Sequence, residues 1–172
     1  MAWKVDYKCQ QVFRIAVLIQ LVALALSNEK EHQNEFLCRR CGETIANHQQ
    51  LSHYTSPLAV DTWNATLLGV PRVNVQLFEN PQKQRFNVVT FTTANIHAHE
   101  EAYSEASWYP GNAWRICTCP QCKTHLGWKF QPVNFNHVTH SEEDTFVGII
   151  LDRLIEEKQG DSILYVPNSY KS

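Results

Sequence analysis

Apolar and polar residues alternate with a period of about two along much of the chain after Phe36, which predicts strands. In "VNVQLF" (73–78), Val73, Val75 and Leu77 alternate with Asn74, Gln76 and Phe78. "RFNVVTFTT" (85–93) is rich in the β-branched and aromatic residues that strands favour. Between them "ENPQKQ" carries the turn signal Asn80-Pro81, so the two segments read as a hairpin. "ICTC" (116–119) and "THLGWKFQ" (124–131) read as two short strands on either side of a tight turn. Helical spacing enters late, in "SEEDTFVGIILDRLIEEK" (141–158). There Ser141 and Asp144 resemble a capping box, and Phe146, Ile150 and Leu154 fall at i, i+4 and i+8, with Val147 and Leu151 beside them. Gly160 would end that helix. The expected class is mainly β with one C-terminal helix.

The first residues follow another pattern. Lys4, Lys8 and Arg14 precede the apolar run "IAVLIQLVALAL" (15–26), and Ala25 and Ser27 stand where a cleavage site needs small side chains. That is the layout of a secretory signal peptide. The run is shorter than the ~18–20 residues of a bilayer span, and Gln20 interrupts it. The expectation is a leader over 1–27, a charged lead-in over 28–35, a domain over 36–155 and a tail over 156–172. The mature chain would be secreted and have no membrane span; an uncleaved signal anchor is the alternative. Without the leader, 12 basic residues stand against 16 acidic ones. A chain so balanced has no footprint for a phosphate backbone, which argues against a nucleic-acid partner. In an exported chain the sequon "NAT" at Asn64 would mark a surface loop for glycosylation.

Of the six cysteines, Cys9 lies in the leader. Cys38-Arg-Arg-Cys41-Gly42 and Cys119-Pro-Gln-Cys122 are two CxxC pairs. A CxxC turn brings two thiolates towards one ion while backbone N–H groups point at the sulfurs. Two such turns supply the four ligands of a closed, structural Zn²⁺ site. Disulfides are the competing reading in an exported chain. Against them, the five cysteines outside the leader cannot all pair internally, and a bond within a CxxC turn is usually redox-active. Cys117 reads as a small buried hydrophobe on a strand.

Trp108, Trp114 and Trp128 bracket the second pair, and "WYPGNAW" is a Pro-Gly loop able to fold Trp108 back on the other two. Three rigid indoles arranged in this way form a slot for a thin ring or a small cation. Taken together, "ASWYPGNAW", "CPQC", "THLGWKF", the opening "LCRRCGE", "FENPQ" and "FVGIILDRL" resemble the thalidomide-binding (CULT) domain of the cereblon family. The resemblance runs from about Phe36 to Leu154. It implies a β-tent of two antiparallel sheets pinned by zinc on Cys38, Cys41, Cys119 and Cys122. It also implies a cage walled by Trp108, Trp114 and Trp128, with Phe130 behind and Asn80 closing it from a hairpin. The ligand implied is a cyclic imide such as glutarimide, free or at a protein terminus, or a uracil-like ring. The backbone of Ala106 and the N–H of Trp108 would serve its polar edge. Ala106 stands where a histidine is found in the family, which removes one side-chain hydrogen bond. Assembly into a ubiquitin ligase is not expected, since nothing in the chain corresponds to the region through which cereblon makes that contact.

Three other functions have some footing. His99 and Glu101 form an H-x-E upstream of cysteines, as in zinc deaminases, but Pro120 lies inside the CxxC and Cys38 and Cys41 would have no role. "RIC" (115–117) faintly echoes the nucleophile motif of methionine sulfoxide reductases, although Cys117 precedes the second pair. Glu105 would be the carboxylate of a cage for a methylated ammonium. His97, His137 and His140 read as surface residues. No catalysis is expected.

Overall fold

The computed structural model describes residues 17–21 and 34–158 and divides into two units, Met1–Gln33 and Asn34–Ser172. In the first, residues 17–21 are helical. The rest of the leader read over 1–27, and the tail read over 156–172 from residue 159 on, lie outside the described residues, while Glu156 of that tail belongs to a strand. Among the described residues no helix is long and apolar enough to cross a membrane.

The second unit is built from β1 (Glu35–Cys38), β2 (Thr44–Asn47), β3 (Asp61–Leu67), β4 (Val70–Glu79), β5 (Arg85–Phe91), β6 (His97–Ala98), β7 (Asn112–Thr118), β8 (His125–Pro132), β9 (Phe146–Ile150) and β10 (Leu154–Glu156). They form a three-stranded sheet, β10-β1-β2, and a seven-stranded sheet, β3-β4-β5-β9-β8-β7-β6. Every strand pair is antiparallel. The hairpin read over 73–78 and 85–93 is β4–β5, with Phe78 opposite Phe86. The two strands read around the second cysteine pair are β7 and β8.

The segment read as one C-terminal helix is instead a 3-10 turn (Glu142–Asp144), strand β9, a second 3-10 turn (Leu151–Arg153) and strand β10. Residues 157 and 158, the last ones described, are helical. The capping box is real, but it closes only the first 3-10 turn. The helical signal failed because spacings of four and eight are even numbers as well as near-whole helical turns, so Phe146, Ile150 and Leu154 fit either period. All five residues of β9 are buried. A strand covered on both faces reads as a continuous apolar run and loses its alternation. The sequon also sits differently: Asn64 is exposed on β3, an edge strand, and not in a loop.

The large sheet carries a hydrophobic cluster on each face. Val73, Val75, Val89, Phe91, Val147 and Ile149 pack with Phe36, Ile45 and Leu154 of the small sheet. Phe78, Val88, Phe130 and Phe146 pack with Tyr109 and the three tryptophans. Leu126 belongs to the first cluster and Trp128 to the second, although they are two residues apart on one strand. Gly127 between them has φ 156, and there the usual alternation of side chains is broken.

Candidate functional site

The two CxxC turns meet where the small sheet approaches the β7–β8 turn. Cys38 N donates to Glu43 O (2.8 Å) and Gly42 N to Cys38 O (2.9 Å). The second turn repeats this pattern, with Cys119 N to Thr124 O (2.9 Å) and Lys123 N to Cys119 O (3.0 Å). Both turns need a left-handed residue after the second cysteine, filled by Gly42 (φ 78) in one and by Lys123 (φ 60) in the other. A side chain in that region carries a penalty of about 1–2 kcal/mol. Lys123→Gly is therefore expected to raise stability by up to about 1 kcal/mol, read as a higher thermal midpoint of the metal-loaded protein. A lowered midpoint would contradict it.

The sulfurs of Cys38, Cys41, Cys119 and Cys122 all lie within 4.8 Å of one another. Cys38 and Cys122 are 3.7 Å apart, and Cys41 and Cys119 are 3.6 Å apart. A disulfide would need ~2.05 Å. A tetrahedral ion with Zn–S of ~2.3 Å places sulfurs about 3.8 Å apart. The donor set and its dimensions thus fit a tetrahedral metal ion. The Thr124 hydroxyl, 3.3 Å from Cys122 Sγ, together with the Thr124 backbone N–H, holds that thiol down at about 6. Cys41 is pushed up to about 12: the Glu43 backbone amide opposes the rise, but partial loss of water and the sulfurs of Cys122, Cys119 and Cys38 outweigh it. Ionising all four together requires a cation among them.

On the other face of the large sheet, a cavity of about 320 Å³ is lined by Trp108, Trp114, Trp128 and Phe130, by Asn80, Pro81 and Gln82 of the β4–β5 turn, and by Glu105 and Ala106. Strand register explains three of these positions. Trp114 lies opposite Phe130 and Ile116 opposite Trp128, so Trp114, Trp128 and Phe130 share one face of the β7–β8 hairpin. Trp108 comes from the loop before β7 and is fixed from several sides. Its ring stacks on Phe78 (4.7 Å, 8°) and meets Trp128 edge-on (4.6 Å, 73°). Its Nε1–H donates to Glu79 O (3.2 Å). Phe86 backs Trp128 edge-on at 5.3 Å. Trp114 is held by a backbone bridge to Tyr103, and its Nε1–H donates to Glu105 O (2.9 Å). The indole N–H groups of Trp108 and Trp114 are thus spent within the protein, while both residues line the cavity. Asn80 lines the cavity, while its side-chain amide both donates to and accepts from Gln84, locking the turn. Ala106 has φ 53 and is exposed. Among the described residues neither the Ala106 C=O nor the backbone N–H of Trp108 makes a hydrogen bond.

Other candidates lie apart from this cavity and the sulfur cluster. Cys117 is fully buried, and burial pushes its thiol up to about 12, the reverse of an activated nucleophile. His97 and His99 are exposed at and beside the short edge strand β6, outside the four-sulfur group. His137 and His140 flank Phe135 in the β8–β9 connection.

No family model matches the chain. Curated relatives do match. The chain is 25% identical over 127 residues to protein cereblon of Drosophila mojavensis, covering 71% of this chain and 16% of that protein. It is 56% identical over 57 residues to protein cereblon of Danio rerio, covering 33% and 13%. For protein cereblon of Gallus gallus the figures are 35% over 54 residues, covering 31% and 12%. These similarities support a cereblon-type CULT domain. The chain spans less than a fifth of the length of the curated relatives it matches.

Within this domain the structure gathers all four cysteines singled out in the sequence, and it sets Trp108, Trp114, Trp128, Phe130, Asn80 and Ala106 around one cavity. Pro81 and Gln82 were missed as lining residues, although they adjoin Asn80 in the same turn. Phe78 and Phe86, which back the indoles, were read only as strand residues; their pairing across the hairpin was the available signal.

Proposed function

We propose that this chain is a zinc-stabilised, non-catalytic binding module whose cage holds a small cyclic imide or a uracil-like ring. The observation carrying this reading is the cavity itself. Three indoles fixed from behind enclose it, and a backbone C=O and N–H lie free at residues 106 and 108 for the polar edge of a ring. The apolar edge stacks on indole, and the imide edge pairs with that acceptor and donor. A ring of about eight heavy atoms, well below the ceiling of ~1.5 kcal/mol per atom, gains roughly 6 kcal/mol. That corresponds to a dissociation constant on the order of tens of micromolar. The Cys38, Cys41, Cys119 and Cys122 thiolates would hold Zn²⁺, whose part is to pin the two turns together. No open ligand position is left for chemistry. The signal-like segment at residues 1–27 supports export, which N-terminal sequencing of secreted protein tests by cleavage after Ser27.

Tryptophan fluorescence titrated with glutarimide tests the cage, in a Trp63→Phe background because Trp63 is 39% exposed and adds unrelated signal. Saturable quenching is expected, weakened at least ~10-fold in Trp114→Ala, where one wall is lost. Quenching absent from the parent, or undiminished in the variant, would reject the reading. Glu105 on the cavity wall favours a second ligand class, a methylated ammonium, for which aromatic faces and a carboxylate act together. A trimethyl-lysine peptide run beside glutarimide separates the two.

A further inference from the structure

Behind the cage lies a polar connection that the binding reading leaves unused. Gln76 on β4 is fully buried in the seven-stranded sheet. An amide buried without partners costs several kcal/mol, so such a residue is kept only where its bonds are made. Its Oε1 accepts from Ser56 N (2.7 Å). Its Nε2 donates to Tyr54 O (2.8 Å) and to Tyr109 Oη (3.0 Å). The chain continues outward from there: Ser56 Oγ–H donates to the carbonyl of Trp108, and the same oxygen accepts from Leu58 N (3.0 Å). Tyr109, next to Trp108, is wedged edge-on against Phe130 (4.6 Å) and Phe146 (4.8 Å). One amide therefore ties two irregular segments, 54–58 and 108–109, to the rigid sheet.

We infer that Gln76 is the positioning residue of the cage, acting through Ser56 and Tyr109 to fix Trp108 at the angle the slot requires. Trp108 is the one indole of the three that no strand carries, so its direction rests on hydrogen bonds and ring contacts. Stacking on Phe78, the Nε1–H bond to Glu79 O and the edge contact with Trp128 hold the ring itself, while the backbone from which it springs is held by the Ser56 hydroxyl on the Trp108 carbonyl. Hydrogen bonds are directional, and a fully satisfied buried network specifies one arrangement. The inference rests on the reading that this cavity takes a ring, but its principal readout needs no ligand.

Trp108 and Trp128, 4.6 Å apart and inclined at 73°, couple their transitions and should give an exciton couplet in circular dichroism. Trp128→Phe identifies it by abolishing it. In the metal-loaded protein, Gln76→Met and Ser56→Ala are expected to cut the couplet below half its amplitude and to weaken glutarimide binding ~10-fold, the effect of about one hydrogen bond. Ser56→Thr, which keeps the hydroxyl, should restore both. Ser56→Ala leaves every Gln76 bond in place and tests only the outer link to Trp108. If Gln76→Met fails to fold, Tyr109→Phe, which removes the hydroxyl that accepts from Gln76 Nε2, takes its place with the same loss of couplet expected. An undiminished couplet in Ser56→Ala overturns the inference. So does a diminished one that Ser56→Thr leaves unrestored. Failure of glutarimide to bind the parent, with the couplet behaving as stated, rejects the ligand reading and leaves the positioning role standing.

Discussion

Withdrawal of metal by a strong chelator is expected to abolish the cooperative unfolding transition of the domain at neutral pH, with loss of its strand circular dichroism. Cys38 and Cys41 belong to the small sheet and the turn after it, whereas Cys119 and Cys122 cap the β7–β8 hairpin. The small sheet has strands of only three or four residues, yet Phe36, Ile45 and Leu154 complete the first hydrophobic cluster. Such short strands hold poorly alone. Structural zinc contributes about 10–16 kcal/mol in small domains, as much as the ~5–15 kcal/mol by which a whole domain is stable. Cys119→Ser should reproduce the chelated state. The pH dependence has a definite sign. Cys38 and Cys41 lie above the ordinary thiol range and must shed protons when the ion enters, so metal-linked stability is present at higher pH and is lost on acidification. Cys122, at about 6, releases its proton most readily and is the last to regain it. Zinc release followed by a colorimetric indicator between pH 7.5 and 5 checks this. A transition that survives in protein shown by mass spectrometry to be metal-free would refute the stapling role.

Gly127→Ala should also be damaging, although it removes neither a metal ligand nor a cage side chain. A Cβ at Gly127 would lie 2.1 Å from Gly148 O and 2.9 Å from Ile149 Cα, both backbone of the neighbouring central strand. Backbone cannot rotate aside as a side-chain tip can, so β8 and β9 would have to separate at their pairing. Overpacking of side chains costs about 1–3 kcal/mol, and this clash with a ladder should exceed that. Chemical denaturation at fixed zinc would show a loss of at least ~3 kcal/mol. A loss under 1 kcal/mol would mean that the strands approach each other less closely.

How much of this was legible in the sequence differed by element. β4, β5, β7 and β8 were readable because β-branched and aromatic residues alternate between turn signals, and the cysteine pairs because their spacing repeats. The small sheet was not: "EFLC" and "TIAN" are too short for any period to emerge. β9 was misread because an even spacing serves both helix and strand. Gln76 falls on the side of β4 that alternates against Val73, Val75 and Leu77, and nothing in that pattern marks it as buried. Phe78 on that same face was the overlooked sign that both sides of β4 are covered, as 0% exposure at Phe78 and Gln76 bears out. Which buried amide binds which loop depends on contacts 20 and 33 residues apart in sequence, which no local pattern encodes.

The strand order has a consequence for how the chain matures. β9 is ninth in sequence but lies between β5 and β8, joining the meander over 61–91 to the one over 97–132. During synthesis both meanders emerge before the strand that unites them. Until Phe146–Ile150 follows, each presents a raw, hydrogen-bonding border. A ribosome stalled in that interval, or a nonsense codon there, would release two sticky half-sheets. Chaperone dependence should therefore peak late in translation.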